Sequence, residues 1–288
     1  MAKATSGMVR KRLELDMTMP FYKNAEHDRI GAEFAVIAVR AGAAIMAVYQ
    51  TDFVTRMKAD DTPVTLADQR AEELIVPALQ ALLPGVPVIS EEAWDATQPA
   101  PAPRGPFVLV DPLDGTREFV ARNGEFTVNI ALISDESPIA GCVYAPAIGE
   151  LYYAGQRAWY GGQPPGPDFD VARVQPIEAR PLPQRGAIAL ASRSHRDPAT
   201  DAFLATVPHL RIESVGSSLK FCRIAAGRAD LYARFGPTME WDVAAGHAIL
   251  QAAGGSVLAP DGATFKYGKF ANGLRNGPFI ARGRDVTT

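Results

Sequence analysis

Residues 107–116, FVLVDPLDGT, constrain this chain more than any other segment. Four apolar residues read as a buried strand, and the strand runs straight into Asp111 and Asp114, three apart in a Pro-Gly turn before Thr116. Pro112 stiffens the backbone and Gly115 permits a tight bend, so both carboxylates can converge on one point, with the carbonyl of Leu113 forced outward beside them. An oxygen-only cluster of this kind suits a hard cation such as Mg2+ and is a poor zinc site. If a helix starts at Thr116, the amides near Gly115 and Thr116 can also receive a phosphate. Asp-Pro and Asp-Gly are ordinary turn dipeptides as well, so taken alone the segment is also a plain turn.

Further acids occupy compatible positions. Asp68 stands at a helix start in PVTLAD, Glu91 follows an apolar strand in VPVISEE, and Asp242 opens a helix after a strand in RFGPTMEWD. Each by itself reads as a helix cap or a solvated turn acid. Gathered in one cleft they would repel one another, so their convergence requires cations.

The rest of the chain sets the frame. Its 288 residues are 47% hydrophobic and 21% charged, which suits one large domain or two packed halves. A net charge of −3 argues against a nucleic-acid polymer or an anionic membrane as main partner, but not against a small anion bound in a local field. Cys142 and Cys222 lie in apolar contexts with no Cys-x-x-Cys pair, so reduced thiols and the cytoplasm are expected. The basic start lacks the apolar region of a secretory signal. The uncharged run 41–51 falls short of the roughly 20 residues that cross a bilayer, so no transmembrane segment is expected, and peripheral membrane association is left open.

Residues 1–27 read as an extension, followed by a long helix from Asp28 and a second over about 66–83. Strand-like runs at 107–110, 126–133 and 141–154 suggest an antiparallel sheet of hairpins, and 28–180 is taken as an α+β half. A proline-rich loop over 163–183 marks the candidate boundary, and residues 181–288 alternate strands and helices as an α/β half. His247 is expected to pack within its helix and His27 and His209 to be exposed, so no zinc site is expected. Tyr152, Tyr153 and Trp159 read as core or interface residues.

Together, PVTLAD, ISEE, DPLDGT and WD before an Ala/Gly-rich helix resemble the inositol-monophosphatase superfamily of Mg2+-dependent, Li+-sensitive phosphomonoesterases. KADDTPVT, RNGEFTVNIALI, SRSH, VGSSLKF and RFGPTMEWDVAAGHA are similar, within it, to the CysQ-type 3′(2′),5′-bisphosphate nucleotidases. The resemblance implies a five-layer αβαβα sandwich, as in the inositol-monophosphatase and fructose-bisphosphatase folds. It also implies removal of the 3′-phosphate of adenosine 3′,5′-bisphosphate, a by-product of sulfate activation, with two or three Mg2+ ions.

By the same resemblance, Glu91, Asp111 and the carbonyl of Leu113 would hold one Mg2+, and Asp111, Asp114 and Asp242 a second. Asp68 and Thr116 would orient and deprotonate the attacking water, and no covalent phospho-enzyme is implied. Lys58 and Asp60 would lie in a lid that assists a third metal. Gly115, Thr116, His195, Ser217, Lys220, Arg234 and Asp242 would contact the substrate, with Lys220 offering its charge to a nucleotide phosphate. The alternatives are an inositol-1-phosphate or fructose-1,6-bisphosphate phosphatase with the same metals and, more remotely, a non-catalytic metal-binding regulator. A homodimer is compatible with either reading.

Overall fold

The computed structural model describes residues 24–52, 56–57, 63–64, 66–95, 101–166, 168–193 and 196–285. The periodic apolar stretch forms one helix, α1 (Asn24–Tyr49), which buries Ile30, Phe34, Ile37, Ala41, Ile45 and Val48 on one stripe. It starts at Asn24, so residues 24–27 belong to the helix and not to an extension; residues 1–23 lie outside the described residues. His27 is accordingly buried rather than exposed, with Nδ1 3.1 Å from Gln156 Nε2. By length and composition α1 is apolar enough to cross a membrane, contrary to the expectation drawn from residues 41–51. The charge that appeared to interrupt it, Arg40, sits exposed on the opposite face, while the apolar stripe packs into the core.

After α1 come an antiparallel pair, β1 (Arg56–Met57) and β2 (Pro63–Val64), and then α2 (Leu66–Leu82). The strands that follow build one seven-stranded sheet: β3 (Val88–Ser90), β4 (Phe107–Asp114), β5 (Thr127–Ser134), β6 (Ser137–Ala145), β7 (Glu150–Ala154), β8 (Ala158–Gly162) and β9 (Val174–Ile177). A short helix, α3 (Thr116–Val120), interrupts the run between β4 and β5. β3 pairs in parallel with β4, and every later neighbour is antiparallel. The proline-rich stretch is thus more than a loop: it contributes β9 to the sheet edge, where Pro176 needs no ladder donor on the outer side.

A second, five-stranded sheet has the order β11–β10–β12–β16–β14, from β10 (Ile188–Ser192), β11 (Arg211–Val215), β12 (Leu231–Arg234), β14 (Ser256–Leu258) and β16 (Phe279–Arg282). Its helices are α4 (Pro198–Ala205), α5 (Leu219–Ala225) and α6 (Glu240–Ala252), and β13 (Thr238–Met239) pairs with β15 (Arg275–Asn276).

The side-chain period of two sorts these elements into layers. Val108, Val110, Val128, Ile130 and Tyr144 of the large sheet pack with α1 and α2, while Leu109, Ala131, Val143 and Tyr152 pack with α5 and α6. Leu190, Tyr232, Val257 and Phe279 of the small sheet face that same α5–α6 layer. Ala189, Leu231 and Ala233 face α4 on the far side. The result is an α+β sandwich of five layers, helix–sheet–helix–sheet–helix. α5 and α6 are the shared middle layer, so both sheets are held to a common core at the place where Asp242 emerges.

Candidate active site

The acids of the central segment are placed by a bulge rather than a turn. β4 continues through Asp114, and its register with β5 slips between Asp111, opposite Asn129, and Asp114, opposite Thr127. Pro112 cannot donate to the ladder, so an irregularity is the natural accommodation. Within it, Leu113 N–H donates to Asp111 Oδ1 at 3.0 Å, and Thr116 Oγ1 donates to the Leu113 carbonyl at 3.4 Å. Gly115 follows with φ 89°, a left-handed conformation that favours glycine, and α3 starts at the next residue.

Two other elements carry acids to the same place. The Glu91 N–H extends the β3–β4 ladder by donating to the Val110 carbonyl at 3.0 Å, which sets Glu91 beside Asp111. Asp242 lies in the first turn of α6, where its Oδ2 accepts the Met239 N–H at 2.7 Å. Asp68 is buried in the first turn of α2, which follows β2, a strand that contacts α3.

The acids act on one another electrostatically. Burial holds the Asp111 carboxyl well above the ordinary range, and Glu91, Asp114 and Asp242 raise it further. Burial, then Asp114 and Glu91, do the same to Asp242. Asp114 is also raised by burial, but the Lys220 charge and hydrogen bonds from Ser218 and Asn129 hold it back. Among the described residues no three His, Cys, Asp or Glu side chains are gathered closely enough to form one coordination shell. The donor set fits a hard divalent ion: Glu91, Asp111, Asp114, Asp242 and the Leu113 carbonyl supply oxygen only. His247 is buried against the Tyr267 hydroxyl at 3.0 Å, and burial pushes its pKa down to about 3.

The expected substrate residues are placed unevenly. Ser217 has φ 42°, and its Oγ lies 3.3 Å from Thr127 Oγ1, while its Cβ borders Gly115. Arg234 lies at the end of β12, donates to the Pro237 carbonyl at 3.1 Å, and holds the Asp242 pKa back. Lys220 is engaged by the turn that precedes it. It is buried, and its ammonium donates to the carbonyls of Val215 (3.2 Å) and Ser217 and lies 5.1 Å over the Tyr232 ring. Burial pushes its pKa down to about 8, opposed chiefly by Asp114. Lys58, Asp60 and His195 lie outside the described residues.

Several polar residues of the site escaped sequence reasoning. Asn129, only 1% exposed, donates to Ser218 Oγ at 2.9 Å and contacts Asp114 Oδ2 at 3.4 Å, while its own Oδ1 accepts from Thr127 Oγ1 at 2.9 Å. Ser218 Oγ in turn lies 3.0 Å from Asp114 Oδ2 and 2.7 Å from the Asp242 carbonyl. This chain of contacts links the acids of the large sheet to α5 and α6. The available signal was Thr127 and Asn129, two polar residues at strand spacing in an otherwise apolar run.

Comparison with known proteins agrees with this architecture. A family model described as "Inositol monophosphatase family" matches residues 27–281. The chain is 44% identical over 238 residues to the 3′(2′),5′-bisphosphate nucleotidase CysQ of Salmonella typhimurium, covering 80% of this chain and 91% of that protein. Identity to the protein of the same name from Escherichia coli K12 is 45% over 230 residues, 77% of this chain and 87% of the other. The crystal structure of CysQ from Bacteroides thetaiotaomicron superposes with a TM-score of 0.74 at 37% identity, covering 88% of this chain and 98% of that one.

Proposed function

This chain belongs to the inositol monophosphatase family, and from that premise we propose that it is a Mg2+-dependent phosphomonoesterase that converts adenosine 3′,5′-bisphosphate to AMP and phosphate. The observation that carries the reading is the placement of Glu91 in register beside Asp111 and of Asp242 where Glu91 and Asp114 both act on it, so that the negative charges of Glu91, Asp111, Asp114 and Asp242 meet in one place and call for cations. The choice of a nucleotide rests on similarity to relatives named bisphosphate nucleotidases over most of their length. In this reading Glu91, Asp111 and the Leu113 carbonyl would hold one ion and Asp111, Asp114 and Asp242 would hold another, with two or three Mg2+ ions in all.

When bound, Mg2+ supplies the charge that lowers the barrier to water attack on the phosphorus and to departure of the sugar oxygen. Asp68 accepts the proton of the attacking water, and Thr116, fixed by the Leu113 carbonyl, orients that water. Arg234 supplies positive charge beside Asp242 toward the remaining phosphate. The reaction belongs to the cytoplasm, where the by-product of sulfate activation arises, and the free buried thiols Cys142 and Cys222 suit a reducing compartment.

The test is a side-by-side assay of phosphate release with Mg2+. Adenosine 3′,5′-bisphosphate should be hydrolysed faster than inositol-1-phosphate or fructose-1,6-bisphosphate, and millimolar Li+ should inhibit. Equal or reversed rates would defeat the substrate assignment.

A further inference from the structure

One carboxylate outside the acid cluster joins the two sheets. Glu125 lies between α3 and β5, and its Oε2 accepts three N–H groups: Gly216 N at 2.9 Å, Arg193 Nη2 at 2.9 Å and Arg193 Nε at 3.3 Å. Arg193 follows β10 directly, and its Nη2 also donates to the Ser214 carbonyl at 3.2 Å, at the end of β11. Gly216 is pressed so closely on this segment that a Cβ there would stand 2.6 Å from the Glu125 carbonyl and 2.8 Å from its Cβ. The acid therefore holds the ends of β10 and β11 and the start of the 216–220 turn against the segment that leads into β5.

Position, not stability, is what such a contact controls. The Arg193 side chain is 48% exposed, and half-exposed ion pairs contribute little to folding free energy. Yet the turn it anchors is unusual: Ser217 has positive φ, and the turn's carbonyls are held by the Lys220 ammonium from within. Ser217 also borders Gly115, at the end of the strand that carries Asp111 and Asp114, so in the proposed reaction this turn would meet the substrate across from the acid-bearing sheet.

We propose that Glu125 and Arg193 are positioning residues that set the substrate turn at residues 216–218 against the acid-bearing sheet, and so determine affinity for the part of the substrate beyond the reacting phosphate. The proposal rests on the reading of a doubly phosphorylated nucleotide as substrate. Neither side chain touches the acids that would hold metal, so the chemical step is spared.

The experiment measures kcat and KM for adenosine 3′,5′-bisphosphate, and the Mg2+ half-saturation, in wild type, Glu125→Ala, Glu125→Gln, Arg193→Ala and the double alanine variant. Glu125→Ala and Arg193→Ala should raise KM about tenfold with kcat within about twofold, the pattern of lost uniform binding. The double variant should be no worse than the worse single one, because both changes break one contact. Glu125→Gln, which retains an acceptor for the Gly216 N–H, should recover much of the loss, and Mg2+ half-saturation should not move. Melting temperatures check folding, and the exposed Arg193→Ala carries the test if Glu125→Ala is unstable. An unmoved KM, or a fall in kcat at constant KM, would overturn the clamp alone. Absence of turnover by wild type would overturn the functional reading, and the clamp's role with it.

Discussion

Replacing Asn129 with alanine asks whether the metal ligands are held in shape from behind. The substitution deletes a donor at 2.9 Å to Ser218, a longer contact of 3.4 Å to Asp114 Oδ2, and the acceptor of the Thr127 hydroxyl. Ser218 keeps its contacts with Asp114 and the Asp242 carbonyl, and Thr127 keeps Ser217 at 3.3 Å, so about one buried polar group loses its best partner. That costs about 1–3 kcal/mol. At this chain length the melting temperature should fall by roughly 2–5 °C. Asp114 also loses a hydrogen bond that favours its charged form, and loss of such a supporting partner typically weakens metal binding by about 10–100-fold. The assay is thermal melting in EDTA and across a Mg2+ titration, wild type against variant. A lower metal-free melting temperature with unchanged Mg2+ half-saturation would refute the reasoning, because Asn129 would then only fill space.

Other consequences follow from the same contacts. Asp114→Asn should abolish phosphate release while leaving the metal-free fold as stable as wild type or more so, since one repelling charge is gone; wild-type turnover would refute its role. Asp111 and Asp242 have folded pKa values above their unfolded ones, so the folded, metal-free protein binds more protons. Their stabilising contribution is full below the unfolded carboxylate value of about 4 and is lost as pH rises through the folded values. Denaturant stability in EDTA should therefore fall with rising pH more steeply for wild type than for Asp111→Asn, and equal slopes would count against it. Away from the site, fully buried Asp230 binds Arg180 through two 2.6 Å contacts and accepts the Ile188 N–H at 2.8 Å. Asp230→Ala should lower stability by about 2–3 kcal/mol, less than for a fully buried pair because Arg180 still meets water; a urea titration measures it.

What was legible in the chain was what local chemistry determines. Asp111 and Asp114 could be read because an apolar strand running into two acids has few uses, and the five layers could be anticipated once the separated motifs had been matched to a family. The structure differs wherever placement depends on a partner distant in sequence. Asn129 carries no charge to mark it in the sequence, and strand register alone sets it opposite Asp111. Lys220 looks like a free charge opening a helix, but the tight turn before it folds two carbonyls onto its ammonium. The bulge at Pro112 was read as a turn because both break a ladder in the same residues. His27 appeared exposed in its polar context, yet it packs beside Gln156 in a strand connection more than a hundred residues away.

The central claim is that buried acids from separate elements exist to hold divalent cations, and that Asp111 serves more than one of them. Calorimetric titration of Mg2+ into metal-free wild type and Asp111→Asn, without substrate, tests this most directly. The account predicts saturable binding of at least two ions by the wild type and loss or severe weakening of both in the variant. Equal binding by the two proteins, or none by the wild type, would contradict it.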